Sequence, residues 1–228
     1  MKITTKTKQK IVFVLLFAAL GFLAMQVPVA KLAGSKASFT LFDAVGPIAT
    51  AFLGSIAGVI AVFCMELANF VFHGAHVADI GTIIRFFPML FAALYFGKKS
   101  KLNVIVPLLA IAVFIANPVG RSVWYYSLYW TIPVICYFFR EKFLLARTLG
   151  ATFSAHAVGG ACWIWAFHLP AAVWIGLIPV VAVERLLFAS GMAVSYLLLN
   201  NVVHVLLAKK HTQFSWMVNK NYIMRAWR

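Results

Sequence analysis

Continuous apolar runs of about 17–25 residues recur along this chain, each long enough to cross a hydrocarbon layer of about 30 Å. A water-soluble domain cannot carry so many, because its surface must be covered with charge. Here only five of 228 residues are acidic, 64% are hydrophobic and the mean hydropathy is +0.94. The runs are unbroken rather than alternating, which excludes a barrel. The sequence predicts an all-α, polytopic transmembrane helical bundle, a single integral membrane domain over residues 1–228.

The net charge of +15 sits at the edges of the runs. Cations cluster in the tail 1–10 (Lys2, Lys6, Lys8, Lys10), at Lys98, Lys99 and Lys101, around Arg140, Lys142 and Arg147, and in the tail 209–228. That placement reads as positive-inside bias and attraction to anionic headgroups, not as nucleic-acid binding. The expected location is the cytoplasmic membrane, multi-pass, with the N-terminus and both cationic tails cytoplasmic. The lysine-rich start ahead of Ile11–Met25 imitates a signal peptide, but the spans that follow favour an uncleaved first helix.

Apolar segments are expected at 11–29, 46–72, 80–96, 102–116, 123–139, 149–167 and 171–208, with Asp43 as N-cap and Pro47 in the first turn of the second. Placing 98–101 on the same side as the N-terminus requires an even number of crossings before Lys98, yet three segments precede it. The short one carrying Arg85 and Pro88 is the candidate for a re-entrant element. Six full spans are therefore favoured, with seven as the alternative.

Within 46–72, Gly54 and Gly58 form a GxxxG, and Ala57 and Ala61 repeat the spacing, which is a helix-packing signature in lipid. Further along, Glu66, Asn69, His73 and His76 are separated by three, four and three residues, with Asp79 three beyond. On a continuing helix they share a face, a candidate intramembrane metal site or enzyme centre built on Glu66, His73 and His76. The competing reading ends the helix near Gly74 and leaves the histidines in a loop near the cytoplasm. Glu66 resists that dismissal, because an ionisable group inside a span needs a partner or a cavity, and Arg85 is the nearest counter-charge in sequence.

"RSVWYYSLYW" places Arg121, Trp124, Tyr125, Tyr126, Tyr129 and Trp130 on the expected outer side, together with Trp163, Trp165, His168 and Trp174. An interfacial aromatic belt explains them without a ligand. A ligand site explains them through stacking on a small organic molecule, with Arg121 meeting an anion. Glu184 and Arg185 lie in the long apolar stretch 171–208, either one helix that must kink or a last span starting near them with 171–183 as a lid or interfacial helix. Neighbours on a helix do not face each other, so each needs another partner or water. Asn200, Asn201 and His204 are expected to bond between helices. The expected substrate-binding set is Arg121, Trp124, Tyr125, Tyr129, Trp163, Trp165, Glu184 and Arg185.

Enzyme templates are missing: there is no GxSxG, HExxH, P-loop or paired-aspartate motif, and Cys64, Cys136 and Cys162 form no CxxC. No catalysis, cofactor or resident metal is expected.

The segment "FTLFDAVGPIATAFLGSIAGVIAVFCMELANF", with Gly46-Pro47, Gly54 and Gly58, resembles the substrate-binding S components of energy-coupling-factor (ECF) vitamin transporters. The "LLLNNVVHVLL" of the last span is similar in style. The resemblance implies capture of a micronutrient on the extracytoplasmic side for uptake, and docking on a transmembrane coupling subunit with ATPase subunits. The chain departs from the family pattern in its first span, where "FAALGFLA" lacks AxxxA spacing. A membrane packing or assembly subunit with no ligand of its own is the alternative function.

Overall fold

The computed structural model describes residues 5–31, 33, 38–73, 80–208 and 218–224. Helix α1 (Thr5–Met25) leads into a two-stranded antiparallel hairpin, β1 (Pro28–Lys31) and β2 (Ser38–Thr40). The amide of Leu41 donates to the Val27 carbonyl at 2.9 Å and closes the hairpin base.

The run from Gly46 to Phe72 is not one span. It begins as α2 (Phe42–Val45), passes through a 3-10 turn over Gly46–Ile48 into α3 (Ala49–Leu53), and breaks at Gly54. Gly54 has φ 85° and ψ 160°, a conformation that a side chain disfavours. The chain then doubles back as α4 (Ser55–Phe72). Two contacts fix the reversal. A Cβ added at Gly58 would lie 2.5 Å from the Cα of Thr50, although eight residues of straight helix would hold them about 12 Å apart. On α1, Gly21 faces both Phe42 and Met65, which puts the start of α2 level with the outer part of α4.

This helical hairpin corrects the expected packing motif. Gly54 has nothing within 4 Å of its Cβ position, and its contribution is the turn itself. Gly58 makes the close approach, within the chain; Ala61 is half-buried against the core and Ala57 is exposed. Asp43 does not cap a helix. It lies in the first turn of α2 and accepts the Thr40 amide at 2.9 Å.

The remaining helices are α5 (Ile80–Gly97), α6 (Leu102–Ala116), α7 (Pro118–Ser122), a 3-10 segment Trp124–Thr131, α8 (Ile132–Phe139), α9 (Leu144–Phe167) and α10 (Ala171–Ala208). The segment expected to be short and re-entrant is a continuous 18-residue helix, α5, which keeps Pro88 in its interior. Four passes along the bundle (α1, α2–α3, α4 and α5) therefore precede Lys98. The reversal at Gly54 thus adds one stretch along the bundle to the single run expected over 46–72.

Among the described residues, three helices are long and apolar enough to cross a membrane: Ser55–Phe72, Ile80–Gly97 and Ala171–Leu206. Phe13–Met25, Phe42–Leu53 and Leu102–Ala116 are apolar but shorter, so the expected six full spans are not reproduced. Outward-facing side chains are apolar, with Ile56, Leu16 and Val183 each more than 60% exposed. Such a surface is compatible with a membrane location.

Two ends of the bundle differ. At one, α5 ends beside the Gly54 turn, where Gly97 lies against Thr50 and Ser55, and Phe13 of α1 stacks near Phe52 with centroids 5.5 Å apart. Arg140 and Arg147 reach the same place, so the basic segments 98–101 and 140–147 gather here, and we call it the basic end. Asn200 and Asn201 bond not to another helix but to the returning segment at Asn219, Tyr222 and Met224. The opposite end carries the β-hairpin, the close of α4 and the start of α10.

Candidate functional site

Beneath the β-hairpin lies a cavity of about 260 Å³, walled by α2, α4, α5, α9, α10 and the Trp124–Thr131 segment. Its charge content is unusual for this chain. Asp43, Glu66 and Glu184, three of the five acidic residues, face Lys31, Arg85 and Arg185 around it. A second cavity of about 510 Å³ adjoins it and shares Phe42, Glu66 and Arg85.

Arg185 is 1% exposed. Its guanidinium lies against two rings, 4.4 Å from the Phe39 centroid and 4.9 Å from Phe188, which meet each other edge to face at 5.8 Å and so form a corner around it. Nη2 is 3.6 Å from a carboxylate oxygen of Glu184, so the long side chain curls back toward its neighbour, contrary to the expectation that each must look elsewhere. That separation exceeds hydrogen-bond range, and Nε and Nη2 have no hydrogen-bond partner among the described residues. Glu66 has the same deficiency: its Oε2 is buried without a donor, and no ion pair to Arg85 forms. The indole Nε1 of Trp174 is a fourth buried atom on this cavity with no partner among the described residues.

Across the cavity, α9 supplies His156 and Trp163. The Trp130 indole N–H donates to His156 Nδ1 at 2.9 Å, and Nε2 lies 3.1 Å from the Tyr126 hydroxyl. An indole nitrogen only donates, so Nδ1 carries the lone pair and the neutral ring holds its proton on Nε2. The ring thus donates to the Tyr126 oxygen and leaves the tyrosine's own proton free for another acceptor on the cavity wall. Both imidazole nitrogens are engaged, which excludes His156 as a metal ligand in this arrangement. Trp163 donates to the Ala33 carbonyl at 2.9 Å and stacks on Phe167, pinning the hairpin over the cavity.

The structure brings together three of the eight residues named from sequence: Trp163, Glu184 and Arg185 line the cavity. Arg121, Trp124 and Tyr125 do not; they are exposed on the outside of the same end. Tyr129 donates to the Ile178 carbonyl at 2.9 Å, a helix tie. Trp165 is 47% exposed and donates to the Val113 carbonyl. These rings have the placement of an interfacial belt.

The helix that carries Glu66 and Asn69 ends before His73. Helix α4 stops at Phe72, His73 is its C-cap with Nδ1 bonded to the Asn69 carbonyl, and Asn69 accepts from Gln26. His76 and Asp79 lie outside the described residues. Among the described residues, no group of three His, Cys, Asp or Glu could hold a metal ion. Glu66 nonetheless belongs to the site. The reversal at Gly54 carries it to the cavity end, whereas the sequence reading placed it at the opposite one. Asp43, Arg85, Tyr126, His156 and Trp174 were outside the expected set. The available signal was a group of ionisable residues, Asp43, Glu66 and Arg85, inside apolar runs.

Comparison of the chain with protein-family models, curated proteins and solved structures finds no match.

Proposed function

We propose that this chain is a multi-pass membrane protein that binds a small organic molecule in the cavity under the β-hairpin and serves its uptake. The observation that carries the reading is the combination of buried, unpartnered polar atoms on Glu66, Trp174 and Arg185 with ring walls from Tyr126, Trp163 and Trp174. A protein that left such atoms buried for no ligand would bear a cost of about 1–3 kcal/mol for each. The positive-inside bias favours the basic end in the cytoplasm and the cavity facing outward. Delivery inward then falls to partner subunits, a transmembrane coupling subunit with ATPase subunits, as the resemblance to ECF S components implies.

Native mass spectrometry of protein extracted gently into lipid nanodiscs tests the binding claim. The expected spectrum shows a small-molecule adduct that is lost in Glu66→Gln. Bare protein in every preparation contradicts it. Orientation is tested in a chain whose three cysteines are replaced by serine. A Ser100→Cys variant is expected to react with an impermeant maleimide only after permeabilisation, and reaction in intact cells would reverse the topology.

A further inference from the structure

We propose that the ligand of this cavity is amphoteric: a small planar ring compound with an anionic group that seats on Arg185 and a protonated nitrogen that seats on Glu66. The inference rests on reading the cavity as a small-molecule site and adds the chemical class.

Arg185 defines the anionic subsite. The guanidinium plane rests in the corner formed by Phe39 and Phe188, whose own centroids are 5.8 Å apart. Nε and Nη2 form one edge of that plane, with parallel N–H groups, and neither has an acceptor. That edge matches the two oxygens of a carboxylate. Glu184 at 3.6 Å offsets part of the charge without filling the edge.

Glu66 defines the cationic subsite. An ionised carboxylate only accepts hydrogen bonds, and Oε2 has nothing to accept from. It projects from α4 while Arg185 projects from α10, so the two subsites belong to different walls.

The charge balance decides between classes. Lys31, Arg85 and Arg185 formally cancel Asp43, Glu66 and Glu184 around the cavity. A purely anionic ligand would satisfy Arg185 and strand Glu66, and a purely cationic one would do the reverse. Each would leave a buried charge uncompensated, whereas an amphoteric ligand compensates both. Trp163 and Trp174 also line the cavity, and the free protons of Trp174 Nε1 and Tyr126 suit acceptor atoms on a heteroaromatic ring. A volume of about 260 Å³ suits one or two rings.

The test uses the full chain in nanodiscs and three probes that share one ring: para-aminomethylbenzoate, para-methylbenzoate and benzylamine. Thermal unfolding is followed as each is titrated. The expected result is saturable stabilisation by para-aminomethylbenzoate, with each singly charged probe about tenfold weaker or worse. In Arg185→Gln the preference over benzylamine should vanish, and in Glu66→Gln the preference over para-methylbenzoate should vanish. If a singly charged probe stabilises the wild-type chain as well as the doubly charged one, the ligand class is wrong while the cavity remains a binding site. If none of the three stabilises it, and native mass spectrometry finds no adduct, both the class and the site are overturned.

Discussion

Two buried arginines, one at each end of the bundle, are held in opposite ways. At the basic end, Arg140 donates to the carbonyls of Tyr95 and Phe96 at 2.7 and 3.1 Å and to Glu141 at 2.7 Å, leaving only Nε without a partner. Arg147 adds a 2.6 Å bond to Phe96 and lies 4.3 Å over its ring. These carbonyls are the last of α5, which have no intrahelical donors, so the two cations finish that helix. At the cavity end, Arg185 is as deeply buried, caps nothing, and keeps an open edge. One end uses buried charge to fasten the fold. The other keeps buried charge in reserve.

The contrast can be broken by mutation, and the largest effect belongs to the basic end. Arg140→Ala strips a charged donor from the end of α5 and should cost about 2–3 kcal/mol of unfolding free energy in detergent. Glu66→Gln, which removes an unpartnered charge, should stay within about 1 kcal/mol of wild type. Equal losses for the two would erase the distinction.

Next comes the reversal that brings Glu66 to the cavity. Gly58→Ala forces a methyl group against the Thr50 backbone and should destabilise by about 1–3 kcal/mol, read from the same unfolding curves. A neutral result would mean that α3 and α4 do not pack as an antiparallel pair.

The smallest effects separate the two aromatic sets at the cavity end. Trp163→Phe keeps a ring but loses the bond to Ala33, worth about 1 kcal/mol, so the hairpin should become more susceptible to limited proteolysis. Trp124→Ala, on an exposed ring outside the cavity, should change stability by less than about 0.5 kcal/mol and leave hairpin cleavage unaltered.

How much of this was legible in the sequence follows from what each signal depends on. Apolar run length is local, so the predominantly helical character could be read directly, whereas the continuity of the helices at 80–97 and 171–208 could not. The reversal at Gly54 could not. The run from Gly46 to Phe72 is apolar throughout, and a glycine is equally at home in a GxxxG seam or a tight turn. Misreading that one residue moved Glu66 and His73 to the wrong end and forced α5 into a re-entrant role. Within the site, Trp163, Glu184 and Arg185 stood out by residue type. Tyr126 stood in the aromatic run without entering the binding set and His156 was not in it either, because their significance lies in a hydrogen-bond chain with Trp130 that links positions 26 and 30 residues apart. The exposed Trp124 and Tyr125 drew attention for the same chemistry that suits a membrane interface.

A density map of the protein purified from its own membranes, with no ligand added, tests the central claim most directly. The account expects a compact, flat feature between Trp163 and Trp174, within about 3.2 Å of both the Arg185 edge and Glu66 Oε2. A closed cavity in which Arg185 pairs directly with Asp43 or Glu66 would contradict it.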